Sequence, residues 1–291
     1  MRIALTADDA PSIQGTASGP VADAGRMDRI RDILQRRGIP HCVAFVIGET
    51  ALHNEGPLRR WLEAGYELGN HTYRHLAASG STTTEFMADV ESCDRVLQDL
   101  GVPNNSRRWF RFPYLDRGPD RAGRRAIVDG LESLGYVVAH ASADLHDHCY
   151  EGPLERARCS DDTARARAID ARYQAAALAS LVQARQLTLG AFGGSITHST
   201  YFHFGEASCR SLPQILNCLE TMGVQWSRLD AAHDQVSYRA FDRDLGRSGL
   251  LTGSLPATLF VKIARRLARA TVRLGLFEQG ELGPKWPHLA E

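Results

Sequence analysis

Two histidines, His71 and His75, stand four residues apart directly after a strand expected at 66–69. On a helical turn that spacing puts both imidazoles on one face, where they can meet at a single point. The chemistry it suits is coordination of a divalent metal, zinc above all, with a further ligand from elsewhere in the chain. A solvated turn is the plain alternative in a chain with 11 histidines. Four other polar groups could share the work. Asp8-Asp9 sets two carboxylates side by side, so that one could ligate while its neighbour stays free as a base, or both could simply form a turn. Arg111-Phe112-Pro113-Tyr114 offers a guanidinium able to grip a carboxylate through paired hydrogen bonds, or marks a strand exit fixed by proline. Asp144-Leu145-His146-Asp147 and Ile196-Thr197-His198 add carboxylates and a histidine, or a solvated loop and a core histidine. An aspartate beside a histidine can orient it and favour its charged form.

These groups need elements to hold them. Residues 2–7 read as a buried first strand ending at Asp8-Asp9, followed by a helix with Met27, Ile30, Ile33 and Leu34 on one face and Gly38 and Pro40 as its stop. Strands are expected at 41–47, 66–69, 109–112, 136–142, 187–197 and 224–229. Helices are expected at 58–64, 84–100 (capped within 81–83), 120–134, 163–186 and 212–222. Such alternation predicts an α/β fold with parallel strands: a closed or nearly closed (β/α) barrel of about seven strands over 1–236. Residues 237–291 are read as a linker and a basic amphipathic helix at 255–277, packing on the barrel or a partner, with membrane contact the second choice. Functional groups in parallel barrels collect at the carboxyl ends of strands, where all five polar groups are placed by this reading.

Composition narrows the class. Lysine plus arginine (34) balances aspartate plus glutamate (34), so nothing in the charge recommends a nucleic-acid partner. The N-terminal apolar run is too short for a signal peptide and no segment approaches the roughly 20 apolar residues of a membrane span, so a cytoplasmic location is expected. Six cysteines without a CxxC pair are expected as free thiols.

The order and content of the polar groups resemble the polysaccharide deacetylase family, the nodulation-factor deacetylase homology domain of carbohydrate esterases. The family's Thr-Phe-Asp-Asp-Gly stands here as Thr6-Ala7-Asp8-Asp9-Ala10, and its His-Ser/Thr-x-x-His as His71-Thr72-Tyr73-Arg74-His75. Its Arg-x-Pro-Tyr stands as Arg111-Phe112-Pro113-Tyr114, its Asp-x-x-Asp-Trp as Asp144 to His148, and its Leu-x-His as Ile196-Thr197-His198. The resemblance spans about residues 2–235 and implies a deformed (β/α) barrel that hydrolyses an N-acyl amide. It implies that Asp9, His71 and His75 bind a divalent metal, Zn2+ or another such as Co2+. It further implies Asp8 as general base aimed by Arg111, the backbone N–H of Tyr114 as oxyanion donor, and His198, tuned by Asp147, as general acid. Three departures stand out: Ala7 and Ala10 in the first motif, His148 in place of the usual aromatic, and the altered fifth motif. They leave the reaction type and point to a pocket remodelled towards a small N-acylated substrate, an amino sugar or related metabolite. The alternatives are hydrolysis of another C–N bond, such as a ureide or cyclic amide, and a non-catalytic metal-binding scaffold.

Overall fold

Strand and helix alternate because short β-branched or apolar runs are separated by amphipathic segments, several of which carry their own caps. The computed structural model describes residues 1–13, 19–103, 106–235 and 237–238, with backbone only at 19–24 and 191–192. The proposed helix at 255–277 lies outside the described residues. The strands are β1 (Arg2–Ala10), β2 (Cys42–Val46), β3 (Glu67–Asn70), β4 (Arg108–Phe110), β5 (Tyr136–Val138), β6 (Ala143–Asp144), β7 (Thr197–His203) and β8 (Gln225–Trp226). The helices are α1 (Gly19–Arg36), α2 (Gly48–Ala51), α3 (Glu55–Glu63), α4 (Thr83–Asp99), α5 (Arg121–Ser133), α6 (His148–Cys159), α7 (Thr163–Phe192), α8 (Glu206–Thr221) and α9 (Leu229–His233). Local chemistry fixes their ends. Thr82 and Glu85 form a reciprocal capping box at the start of α4, and Asp120 accepts from Gly123 N–H at the start of α5.

The strands lie in the order β5-β4-β3-β2-β1-β7-β6, all parallel, with β8 pairing to the first residues of β1. How far this sheet curls follows from one short connection. Ala139 N–H still donates to Phe110 of β4, whereas Ser142 N–H already donates to Ser199 of β7. Three residue steps reach at most about 11 Å, yet seven flat strands at about 4.8 Å spacing would separate the edges by about 29 Å. The sheet must therefore curl into a barrel whose seam, between β5 and β6, is crossed by the chain.

Both faces of the sheet are buried. On the outer face Ile3, Leu5 and Ala7 join Met27, Ile30 and Leu34 of α1 and Leu212 and Ile215 of α8. Inside, Ala4, Val43, Phe45 and Trp109 fill the lower barrel with Leu229, Ala232 and Tyr238. Gly69 allows this packing, since a Cβ there would sit 2.7 Å from the Phe45 ring. Tyr238 lies two residues past the expected boundary at 236, is fully buried, and its hydroxyl accepts from Ser199 N–H.

Three expectations are corrected. The segment expected as a strand from Leu187 belongs through Phe192 to α7. Its buried stripe of Ala166, Ile169, Tyr173, Ala177, Leu181, Ala184 and Thr188 keeps helical spacing past residue 187. The helix stops only at Gly193, which caps it in the left-handed conformation (φ 67°). The strand thus begins at Thr197, where it was expected to end. The expected strand over 136–142 is divided into β5 and the crossing segment, and α6 was not foreseen. Among the described residues no helix is long and apolar enough to cross a membrane, and the six cysteines form no disulfide.

Candidate metal and catalytic site

Adjacent residues of a regular strand face opposite sides of the sheet, yet Asp8 and Asp9 both line one cavity of about 570 Å3. The backbone explains this. Asp9 takes φ 57°, and the register of β1 against β2 slips between Ala7 and Ala10. Such a left-handed non-glycine residue costs of order 1–3 kcal/mol and is kept where surrounding structure enforces it. Asp8 remains on the inward face with Thr6, while Asp9 is turned towards the histidines.

His71 and His75 converge, but not on a helical turn as their spacing suggested. They sit on an irregular loop in which Thr72 and His75 have φ 64° and 58°. Two buried side chains build that loop. Asn70, at the end of β3, accepts from Thr72 N–H at 2.8 Å and donates to Val90 O and the Tyr136 hydroxyl. Asp89, on the buried face of α4, accepts from Tyr73 N–H at 2.9 Å, Arg74 N–H at 2.8 Å and Arg74 Nε at 2.7 Å. Arg74 thus clamps the loop from outside. Asp89 left a signal in the sequence: it is an acid on the apolar stripe of Phe86, Val90 and Cys93. Hydrogen bonds to a charged group contribute about 1.5–3 kcal/mol each when buried. Asp89→Ala should therefore lower stability by about 2–3 kcal/mol and weaken metal binding at the loop, as urea unfolding and metal titration would show; unchanged values would refute the clamp.

His71 and His75 each bring Nε2 to Asp9 Oδ1, at 3.3 and 3.2 Å. His71 Nδ1 lies 2.8 Å from the Arg111 carbonyl, which can only accept, so Nδ1 carries a proton and a bound metal would take the lone pair of Nε2. Each histidine nitrogen thus stands from Asp9 Oδ1 at about the edge length of a tetrahedron with metal bonds of about 2.0–2.1 Å. The three donor atoms lie within 4.8 Å of one another, so the three residues can hold a divalent cation. Burial opposes a charge on Asp9, but the hydrogen bonds from His71 and His75 and the charge of His203 hold its carboxyl well below the usual range. Arg111, itself buried, reaches Asp8 at 3.3 and 3.4 Å and Thr6 Oγ1 at 3.2 Å, and lies over the Phe45 ring.

The structure does not bring His198 to this site. His198 is the second residue of β7 and pairs with Ile3, so it lies at the opposite end of the barrel and on the outer face. There its Nδ1 meets Ser142, and burial, with Arg185 and the chain's N-terminus, lowers its pKa to about 4. The histidine that reaches the cavity is His203, the last of β7, paired in register with Asp8. Asp147 serves His203, not His198: its Oδ1 is 2.8 Å from His203 Nδ1, while Oδ2 accepts from His203 N–H at 2.5 Å and Ser208 Oγ at 2.6 Å. Burial works against the imidazolium, yet Asp147, then Asp9 and Asp8, raise its pKa to about 10. The alternation of Tyr201-Phe202-His203-Phe204 was the missed signal. Tyr201 and His203 face the cavity, whereas Phe202 and Phe204 pack among the helices.

Tyr114 lies at the rim in a left-handed turn (φ 57°), its ring 4.5 Å from that of His75 and 69% exposed. Asp144 also lines the cavity. Burial opposes its ionisation, but His146, through its side chain and N–H, lowers the pKa to about 2.

A curled parallel (β/α) barrel with an Asp–His–His triad and a second aspartate at its carboxyl end defines a recognisable class. The polysaccharide deacetylase family model matches residues 1–139, just under half of the chain. A peptidoglycan-N-acetylglucosamine deacetylase of Listeria monocytogenes is 26% identical over 149 residues, 51% of this chain and 27% of the relative. The chain thus spans about a quarter of that relative's length. Among solved structures, a pseudoenzyme of carbohydrate esterase family 4 from Bacillus anthracis superimposes with a TM-score of 0.56 at 15% identity, covering 80% of this chain and 65% of the other. A family 4 carbohydrate esterase from Streptomyces lividans, in complex with acetate, gives 0.54 at 16% identity, covering 79% and 95%. At these identities the structural likeness shows the fold alone.

Proposed function

We propose that the protein is a divalent-metal-dependent hydrolase that removes an N-acyl group, acetyl in the first instance, from an amino sugar or a small conjugate containing one. The observation that carries this reading is the placement of two carboxylates and a buffered histidine in one cavity. Asp9 is committed to the His71–His75 pair, Asp8 stays free of it, and His203 stands beside Asp8 on the next strand. The match to a family named for deacetylases, and the named activity of the Listeria relative, support the same chemistry.

A divalent cation held by Asp9, His71 and His75 supplies Lewis acidity, making water a stronger acid and polarising an amide carbonyl. Asp8, aimed by Arg111, takes the proton from the attacking water. The backbone N–H of Tyr114, in the rim turn, donates to the developing oxyanion. His203, with Nδ1 held by Asp147, presents Nε2 to the cavity and gives its proton to the departing amine. Acetate and a free amine result. Zinc is the first choice of ion, with cobalt the substitute, since an Asp–His–His set suits both.

The exposed ring of Tyr114 supplies a stacking surface at the rim for a sugar face. Tyr114→Ala should raise KM about 2- to 10-fold, from the ~0.5–1.5 kcal/mol of such a contact, with kcat falling less. A fall in kcat with KM unchanged would assign the ring a different job. The whole reading is tested by incubating the metal-loaded protein with N-acetylglucosamine oligomers and assaying acetate and free amine in equal amounts. Ammonia or urea released from ureides, with no acetate, would move the protein to another C–N hydrolase class. Binding of the oligomers without turnover would favour a non-catalytic scaffold.

A further inference from the structure

We propose that Asp147, His148 and His203 form a second divalent-metal site beside the Asp9 triad, with His148 and His203 lining the same cavity. Each offers one donor atom, and these atoms lie within 4.8 Å of one another. Two histidines and a carboxylate suit zinc, cobalt or nickel and leave coordination positions for water.

The surroundings of Asp147 are those of an oriented ligand. Its Oδ2 is fixed by His203 N–H and Ser208 Oγ, which leaves Oδ1 directed at the His203 ring. Such outer hydrogen bonds are what hold a carboxylate in ligating position. His148 sets its ring edge-on to His203 with centroids 5.5 Å apart, and it is exposed. Asp147 is fully buried, so the three donors run from the interior to solvent and give an ion a path in. His148 makes the difference in this chain: without it only the Asp147–His203 pair remains.

An ion here and the imidazolium form of His203 exclude each other, because a ligating imidazole must be neutral. Metal beyond the first equivalent should therefore inhibit turnover. This consequence rests on the reading of His203 as general acid; the site itself does not.

The test titrates the metal-free full chain with Co2+, following bound metal by equilibrium dialysis and the visible absorption of the ion. The wild type should bind two ions per chain, the second more weakly. His148→Ala changes one exposed residue at the start of α6 and should bind one, with the first event unmoved. Cys149→Ser, which removes the neighbouring exposed thiol, should still bind two. A wild type that takes a single ion, a His148→Ala variant that still takes two, or loss of the second ion in Cys149→Ser would overturn the site. On the N-acetylglucosamine oligomers, excess Co2+ should inhibit the wild type, and His148→Ala should need at least about tenfold more. Two bound ions with undiminished turnover would confirm the site and overturn the acid role of His203.

Discussion

Asp8→Asn should lower kcat by about 10²–10⁴-fold, the range removed with a positioned general base, while the protein still binds one divalent ion through Asp9, His71 and His75. The reason is the division of labour between neighbouring carboxylates. Asp9 is turned by its left-handed backbone into hydrogen-bonding contact with both histidines, whereas Asp8 faces Arg111 at 3.3 Å. Asparagine keeps the shape and can still accept from the guanidinium, but it cannot take a proton from water. Such a loss corresponds to about 2.7–5.4 kcal/mol of transition-state stabilisation. Metal content by mass spectrometry and kcat on one substrate separate the roles. Loss of metal with loss of activity would make Asp8 a ligand, and unchanged kcat would remove it from the chemistry.

His203→Ala should cost a comparable factor, and His198→Ala should leave kcat close to wild type. The two histidines occupy opposite ends of one strand: His203 pairs with Asp8, and His198 with Ile3. The pH behaviour distinguishes an acid from a mere prop. With its pKa raised to about 10 by Asp147 and the aspartates of β1, His203 remains protonated through neutral pH. Turnover that needs this proton should persist into the alkaline range and fall only as pH approaches 10. Asp147→Asn removes the main raising influence, so the alkaline limb should move down by at least one pH unit. The same shift has a stability consequence of definite sign. A group whose folded pKa lies above its ordinary 6.5 stabilises most below that pH, and the contribution is lost as pH rises towards 10. Urea midpoints should therefore show the wild type's advantage over Asp147→Asn narrowing between pH 7 and 10. An advantage that grows across that interval would contradict the assignment.

The fold was legible because its signals are local and repeated. The apolar runs of β1 and β2, the stripe of α1 and the cap of α4 each dictate their own element, and their alternation leaves few topologies besides a curled parallel sheet. The metal triad was legible too, but for an incomplete reason. The four-residue spacing of His71 and His75 suggested a helical turn, whereas the rings converge through a loop that Asn70 and Asp89 hold from distant elements. The β7 histidine that lines the cavity was not legible. Leu187 and its apolar neighbours resemble a strand, but the long-range stripe of α7 carries them into a helix. That moved the strand by ten residues, from an expected start at Leu187 to Thr197, and exchanged His198 for His203 at its carboxyl end. Position along a strand decides which residue reaches a barrel's working face, and one misplaced boundary was enough to choose the wrong histidine.

The most direct measurement is acetate release from N-acetylglucosamine oligomers by the chelator-stripped protein, before and after adding one equivalent of Zn2+ or Co2+. The account predicts no release from the stripped protein, release on reloading, and none from His75→Ala under the same treatment. Release that ignores chelation, or a fully loaded wild type that frees neither acetate nor amine from any N-acylated amino sugar, would contradict it.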